Sequence, residues 1–285
     1  MVTKYKVFDL KAHAKINLFL HVLKKEKEFH KLESLVCFIN LYDEIKIIKD
    51  NKFSIEIAGP FKSFLDKKQN IIKKAVFGIS DLIGIKPNFK IFLNKKIPVS
   101  AGLGGGSADA AAIIRGINRN KLKKKDLYNF AAKIGSDVPV CLYNNDAFFK
   151  GYGELLTKAP DLPNFSIVLI NPMIKLSTKK VFLEYDKNQF SSKKISKDKL
   201  NKKNFYSWIL NTRNDLSEPA KRIVIEISEM LSILEKSKNC LLSRMSGSGP
   251  TVFGLFKNSI DAINANKIIK LNYPNWWSLT TCLKS

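Results

Sequence analysis

The spacing of apolar residues divides the first part of the chain into strands and helices. The segments "EIKIIKD" (44–50) and "FSIEIAG" (53–59) alternate apolar and polar residues, which is the period of half-buried strands. In "QNIIKKAVFGISDLIG" the apolar residues recur every three or four positions, so this pattern predicts a helix that ends near Gly84. The segment "FKIFLNKKIPV" then predicts another strand, and "INLFLHV" near the N-terminus predicts an earlier one.

The second part of the chain continues the alternation. "KKDLYNFAAKIG" predicts a helix stopped by Gly135, "FSIVLINP" a buried strand, and "EPAKRIVIEISEMLSILEKSK" a long helix. "CLLSRMSGSGPTVFGLF" predicts strand, turn and strand, and it is followed by a helix over about 259–271 and a last strand in "WWSLTTCLK". The lysine-rich stretch 191–204 predicts an exposed connection. Strands and helices in mixed order predict an α+β protein with two lobes.

Charge and composition narrow the possible classes of protein. The 285 residues include 49 Lys and Arg against 25 Asp and Glu, for a net charge of +24. Only five of the basic residues are arginine, the preferred reader of base edges, and the lysines are spread along the chain. We therefore expect a general basic bias, which attracts anionic substrates, and no dedicated nucleic-acid face. The four cysteines lie far apart, so neither a disulfide frame nor a zinc site is expected.

Targeting and membrane signals are also missing from the sequence. Charges and histidines interrupt the apolar residues of the N-terminal segment, so a signal peptide is not expected. No run of 18 apolar residues occurs that would predict a membrane span. We expect a cytoplasmic protein.

A glycine-rich segment, "IPVSAGLGGGSADAAAII" (97–114), joins a predicted strand to a helix expected from about Ala108 to Asn118. This order presents backbone N–H groups and the positive end of a helix dipole at one point, an arrangement that binds anions and most often phosphate. Ser107 lies where the helix starts, where it can cap the helix or face a phosphate or Mg²⁺. Neither GxxxxGK[ST] nor GxGxxG fits, because no lysine follows Gly106 and the third glycine of the second motif is replaced by serine.

The same segment resembles the ATP loop of the GHMP kinases, which include galactokinase, homoserine kinase and mevalonate kinase. The family pattern is P-x-x-x-G-L-G-[SG]-[SG]-[SG]-A, and this chain reads P-V-S-A-G-L-G-G-G-S-A. The resemblance implies ATP as phosphoryl donor, with Mg²⁺ held in part by Ser107. It implies a nucleotide site formed by Pro98, Val99, Ser100, Ala101, Gly102, Leu103, Gly104, Gly105, Gly106, Ser107 and Ala108.

The resemblance also implies a fold. GHMP kinases are two-lobed α+β proteins, with an N-terminal mixed sheet covered by helices and a C-terminal ferredoxin-like α/β sandwich. On this basis we expect an N-terminal domain over residues 1–160, which carries the ATP loop, and a C-terminal domain over residues 161–285.

Three further segments resemble family motifs. "AHAKINLFLHV" carries Lys15 and Asn17 on one strand face, "KIGSDVPVCLY" carries Asp137, and "SRMSGSGPTVFGLF" is similar to the third motif, a glycine turn before a strand. The resemblance implies that Asp137 is the catalytic base, that Lys15 is catalytic beside it, and that Asn17 binds substrate. Without the family, these segments would be interpreted as a solvated strand face, a helix cap and a tight turn.

The acceptor site is expected from two other segments. In "KEFHKLESLV", Phe29 and His30 resemble an aromatic–histidine pair that binds cytosine, although Lys27 and Glu28 stand where the family has Asp-Gly. "NPMIKLSTKKVF" is similar to the family's substrate strand and loop and places Thr178 near the substrate tail. Either Lys95 or Lys96 is expected to reach the nucleotide.

The resemblance therefore implies a kinase for a cytidyl diphosphate alcohol, with ATP as its second small-molecule partner. We expect neither nucleic acid nor membrane as a partner, and a monomer or weak homodimer. One alternative is a GHMP kinase for another small alcohol, such as mevalonate or homoserine. A second is a nucleic-acid-binding protein that uses the +24 charge. A third is a catalytically inactive binding module, against which the retained Lys15 and Asp137 argue.

Overall fold

The computed structural model describes residues 7–26, 29–64, 71–153, 155–185 and 200–284, without the side chains of Val7 and Phe29. By its internal contacts the chain forms two compact units. The first unit contains Met1–Ala14, Leu41–Val99 and Gly104–Asn144. The second contains Lys15–Asn40, Ser100–Leu103 and Asn145–Ser285. The expected division into domains 1–160 and 161–285 stays a prediction.

Two long strands, β1 (Val7–Glu26) and β2 (Phe29–Lys49), pair with each other and contribute residues to both units. The remaining elements of the first unit are β3 (Ser54–Ala58), a 3₁₀ turn (Lys62–Phe64), α1 (Ile71–Leu82), β4 (Phe89–Asn94), α2 (Gly105–Asn118), α3 (Lys124–Ile134) and α4 (Val138–Tyr143). Strand β4 pairs antiparallel with the C-terminal part of β2 and parallel with β3. The predicted mixed sheet with helices is thereby confirmed.

Helix α2 lies at the centre of the first unit. Its residues Ala110, Ala111, Ala112, Ile113 and Ile114 are all buried, so the helix is apolar around its circumference. It packs against α1 and α4. Since the alanine side chains are small, neighbouring elements approach the helix closely and fix its position.

The second unit has the predicted ferredoxin-like sandwich. Its elements are β5 (Ala147–Gly151), β6 (Leu155–Lys158), β7 (Ser166–Asn171), α5 (Thr178–Glu184), α6 (Phe205–Leu210), α7 (Ser217–Ile223), α8 (Glu226–Lys236), β8 (Cys240–Met245), β9 (Val252–Phe256), α9 (Ser259–Asn272) and β10 (Trp277–Cys282). An antiparallel sheet runs in the order β10-β7-β9-β8, and α8 and α9 pack against it. Strand β5 pairs with β6 and with the N-terminal part of β2.

Two predicted helix boundaries were wrong. Helix α2 begins at Gly105, three residues before the expected Ala108, because glycine is tolerated in the first helical turn. The long helix predicted from "EPAKRIVIEISEMLSILEKSK" is broken into α7 and α8. Val224 there is extended (φ −129°, ψ 97°) and buried, and the run of three β-branched residues around it disfavours a continuous helix.

Three further sequence predictions concern the lysine-rich connection, membrane spans and metal sites. Most of the lysine-rich stretch 191–204 lies outside the described residues, since the structure describes only 200–204 of it. Within the described ranges, no helix is both long and apolar enough for a membrane span. Those ranges also contain no group of three His, Cys, Asp or Glu residues arranged to hold a metal ion.

Candidate active site

The predicted nucleotide loop leads from β4 into the first turn of α2. Gly102 and Gly104 adopt left-handed backbone conformations, with φ of 74° and 68°. Gly104 is the N-cap of α2 and, as a glycine, has no side chain to cap it. The amides of Gly105, Gly106 and Ser107 have no acceptor within the helix, because the first N–H groups of an α-helix lack one. These donors fit a phosphate group.

Ser107 occupies the third position of α2. It is therefore not the N-cap of this helix, which was one of the two roles considered from the sequence. Its side chain is half-buried, which leaves the hydroxyl partly accessible at the helix start. A serine hydroxyl is a hard oxygen ligand suited to Mg²⁺ that is also bound by substrate phosphates. The residues present therefore fit ATP and its metal ion.

Two glycines of this loop are required by their close neighbours. A Cβ on Gly102 would lie 2.4 Å from the carbonyl oxygen of Ser246 and 2.9 Å from that of Gly249. A Cβ on Gly105 would lie 2.9 Å from Ile97 Cγ2. At Gly106 the nearest atom would be 3.7 Å away, which is an ordinary contact. Packing thus explains part of the glycine cluster before any ligand is considered.

A buried ion cluster joins the segment before the loop to α2. Lys95 Nζ donates to Asp43 Oδ2 at 2.5 Å and to Asp109 Oδ2 at 2.7 Å, and all three side chains are buried. Asp43 Oδ1 also accepts the backbone N–H groups of Lys96 and Ile97. Sequence reasoning identified Lys95 but missed both aspartates, which are far from it along the chain.

The protonation of this cluster follows from its burial. Desolvation raises the pKa of Asp109 to about 8, against the opposing charge of Lys95. Asp109 Oδ1 is buried and has no hydrogen-bond partner among the described residues. For Lys95, burial lowers the pKa, but the two carboxylates outweigh burial and raise it. Lys95 therefore stays charged.

The second lysine named from the sequence is placed differently. Lys96 Nζ pairs with Glu44 Oε1 at 2.6 Å, and both side chains are partly exposed. Lys95 thus pairs with the buried side chains of Asp43 and Asp109, whereas Lys96 pairs with Glu44 at the surface. A contact of either lysine with the nucleotide stays a prediction.

Asp137 stands at the N-cap position of α4. Its side chain makes no capping hydrogen bond to this described helix, although its carbonyl oxygen accepts the N–H of Cys141 at 3.1 Å. Pro139 lies in the first turn and is buried. The backbone thus holds Asp137 at a fixed point. Its half-buried carboxylate does not cap α4, in contrast to the alternative interpretation of this segment as a helix cap.

Lys15 and Asn17 lie on β1 in the second unit and bind each other. Lys15 Nζ donates to Asn17 Oδ1 at 2.6 Å, and Asn17 Nδ2 donates to Ser34 Oγ at 2.9 Å. Lys15 and Asn17 are 3% and 0% exposed, which contradicts the alternative of a solvated strand face. The backbone N–H of Lys15 also donates to Leu103 O at 2.9 Å, so this strand contacts the loop directly.

The glycine turn after β8 brings a further expected residue into contact. Ser248 Oγ lies 2.8 Å from Thr178 Oγ1, at the start of α5. Gly247 and Gly249 both have positive φ, as a tight turn requires. Within the second unit, the turn and Thr178 are thus adjacent.

His30 is the described member of the expected base-binding pair. Its ring stacks on Phe182 with centroids 4.8 Å apart and an angle of 24°, and it meets Tyr185 edge-on. The side chain of Phe29, and all of Lys27 and Glu28, lie outside the described part of the chain. Sequence reasoning missed Phe182, which lies on α5, and Tyr185, which is the extended residue that ends this helix.

The expected site residues are divided between the units. Lys15, Asn17, His30 and Thr178 belong to the second unit, together with residues 100–103 of the loop. The start of α2 and Asp137 belong to the first. The proximity of Lys15 to Asp137 stays a prediction.

Two models of one protein family match this chain. The model of the GHMP kinases N terminal domain matches residues 70–145, and that of the GHMP kinases C terminal region matches residues 199–275. A 4-diphosphocytidyl-2-C-methyl-D-erythritol kinase of Ehrlichia canis is 41% identical over 95% of this chain and 96% of its own length. The enzyme of the same name from Paramagnetospirillum magneticum is 36% identical, with the same coverage.

Solved structures match over the same length. A crystal structure of 4-(cytidine 5'-diphospho)-2C-methyl-D-erythritol kinase superimposes with a TM-score of 0.79 and 25% identity, covering 98% of this chain and all of that one. A homoserine kinase from Cytophaga hutchinsonii matches with a TM-score of 0.74 and 20% identity, over all of this chain and 96% of that one. The second likeness concerns the fold alone.

Proposed function

The chain belongs to the GHMP kinase family, and we propose that it transfers the γ-phosphoryl group of ATP to the 2-hydroxyl of 4-diphosphocytidyl-2-C-methyl-D-erythritol. The observation that carries this proposal is the 41% identity to the Ehrlichia canis kinase of that name over 95% of the chain. Two features of the structure support it. The buried Lys15–Asn17 pair supplies a positioned positive charge, and the start of α2 supplies backbone N–H donors for phosphate, both of which phosphoryl transfer requires.

ATP supplies the phosphoryl group, and Mg²⁺ neutralises part of its charge when bound. The backbone amides that follow Gly104 donate to the phosphates, and the glycines allow them to approach closely. Ser107 would hold the metal ion through its hydroxyl oxygen. The net charge of +24 attracts both anionic substrates.

Asp137 accepts the proton from the acceptor hydroxyl. General-base catalysis of this kind contributes roughly 10²–10⁴-fold in rate. Lys15 stabilises the negative charge that develops on the transferred group, and Asn17 holds the ammonium group in place through its hydrogen bond. Catalysis therefore depends mainly on position and charge.

The cytidyl end of the acceptor is held by aromatic residues. Phe29 stacks on the cytosine and His30 bonds to its edge, while Phe182 supports the His30 ring from behind. Thr178 contacts the tail of the substrate beside Ser248. A location in the cytoplasm and a monomeric or weakly dimeric state stay predictions.

The alternative acceptors, mevalonate and homoserine, are tested directly. Purified protein is mixed with ATP, Mg²⁺ and one acceptor at a time, and ADP release is followed together with ³¹P NMR of the product. We expect turnover with the cytidyl diphosphate alcohol, and a new phosphate monoester on its 2-hydroxyl. Higher kcat/KM for mevalonate or homoserine would contradict the proposed acceptor.

A further inference from the structure

A buried hydroxyl, that of Ser246, lies where three segments of the second unit meet. Ser246 follows β8 directly and is 0% exposed. Its Oγ donates to Gly102 O at 2.9 Å and accepts the backbone N–H of Asn17 at 3.2 Å. Its own N–H donates to Thr251 O, and its carbonyl accepts the N–H of Gly249, both at 2.9 Å. Each polar group of Ser246 is thus used.

The two partners of this hydroxyl both belong to the proposed site. Gly102 is the first glycine of the nucleotide loop, and Asn17 is the residue that holds the Lys15 ammonium group. Ser246 Oγ therefore connects the loop to the strand of the catalytic lysine through one atom. Two backbone bonds, from Lys15 N–H to Leu103 O and from Thr251 N–H to Ala101 O, hold the same stretch of loop.

Ser246 is itself held from behind by Asn214. The buried Asn214 side chain donates through Nδ2 to Met245 O and to Gly247 O, each at 2.8 Å. These two carbonyl groups flank Ser246 on both sides. The amide thus fixes the backbone that carries the hydroxyl, and Asn214 Oδ1 is satisfied by the N–H of Leu216.

We propose that Ser246 is a positioning residue for phosphoryl transfer, whose hydroxyl sets the Gly102 peptide relative to the Lys15–Asn17 pair, with Asn214 as its support. This inference rests on the proposed function. The hydroxyl acts through the loop and the strand and does not touch the reacting atoms. Since a displacement of about 1 Å at such a site can reduce rate about 10²-fold, a single lost hydrogen bond here affects kcat.

Ser246→Ala tests this role. The substitution leaves the Gly102 carbonyl and the Asn17 N–H without this partner, while the backbone bonds from Lys15 and Thr251 remain. We expect kcat to fall about tenfold or more through misalignment, and KM for ATP to change less than about threefold. Ser243→Ala is the matched control, because Ser243 lies on the same strand and donates to Leu231 O, away from the loop. Its kcat should stay within about twofold of wild type.

A second variant keeps the test decisive if Ser246→Ala fails to fold. Ser246→Cys fills a similar space with a weaker donor, and it should also lower kcat while KM for ATP is retained. The proposal is overturned if a folded variant has kcat within twofold of wild type. It is also overturned if ATP affinity falls as much as kcat/KM, which would indicate collapse of the loop. If the wild-type protein prefers mevalonate or homoserine, only the proposed acceptor is contradicted. The role of Ser246 is then tested with the preferred alcohol, by the same comparison of kcat and KM for ATP between variant and wild type.

Discussion

At the scale of single residues, the main finding is that three polar side chains of the proposed site region are buried and hydrogen-bonded in series. Lys15 donates to Asn17, and Asn17 donates to Ser34, with all three buried. A lysine held in this way loses little freedom when a phosphoryl group approaches. The hydrogen bond and the burial thus hold the ammonium group of a normally flexible side chain in one position.

The first prediction concerns Lys15. Lys15→Ala removes the fixed ammonium group and leaves Asn17 Oδ1 without this donor, so kcat should fall by at least about 10²-fold. Lys24→Ala on the same strand is the control, since its partner is the surface residue Glu26. Steady-state kinetics with varied ATP measure both variants. Equal kcat values for the two would show that Lys15 is not catalytic.

The second prediction concerns the acceptor. His30→Ala removes the ring stacked on Phe182 and the proposed bond to cytosine, so KM for the cytidyl acceptor should rise about tenfold with KM for ATP unchanged. His13→Ala, which removes a ring packed on Tyr42, is the control. Parallel increases in both KM values after His30→Ala would contradict base recognition.

At the scale of elements, the glycine loop and α2 combine two different requirements. Gly102 is fixed by its neighbours and its positive φ, whereas Gly106 has ordinary space around it. The sequence predicted a phosphate-binding turn here but not which glycines packing requires, because that depends on Ser246 and Gly249, distant along the chain. It also placed the helix start three residues late, since glycine carries a poor helical signal.

The third prediction separates these two glycines. Gly102→Ala forces a left-handed alanine, at about 1–2 kcal/mol, and adds a clash with Ser246 O, so the free energy of unfolding should fall by more than that amount. Gly106→Ala keeps its amide and should raise this free energy by up to about 1 kcal/mol. Urea unfolding measures both. A Gly102→Ala variant as stable as Gly106→Ala would contradict the packing described.

The fourth prediction concerns the buried cluster beneath α2. The pKa of Asp109 is raised by burial to about 8, so its protonated form stabilises the fold at low pH, and this contribution is lost as pH rises toward and through 8. Asp109→Asn cannot ionise. The free energy of unfolding of wild type relative to Asp109→Asn should therefore fall between pH 5 and pH 9, by at most about 1.4 kcal/mol per pH unit. A difference independent of pH would contradict the raised pKa.

At the scale of the whole molecule, the fold class and the family motifs were predictable because they are local patterns. Periodicity predicted the α+β class, whereas the ferredoxin-like sandwich, with its observed order β10-β7-β9-β8, was implied by the family resemblance. The clusters of Asp43, Lys95 and Asp109, and of Asn17, Ser246 and Gly102, were not predictable, since their members are brought together only by the tertiary fold. Periodicity also gave no sign of the length of β2, whose first half carries mixed polar residues.

The central claim is that the loop holds ATP while Asp137 activates the acceptor, and it is tested most directly by Asp137→Asn. Equilibrium ATP binding and the single-turnover rate of phosphoryl transfer are measured on the same preparation, with Asp126→Asn on the exposed start of α3 as control. The account predicts wild-type ATP affinity with a transfer rate lower by at least about 10²-fold. A transfer rate near that of wild type, or lost ATP binding, would contradict it.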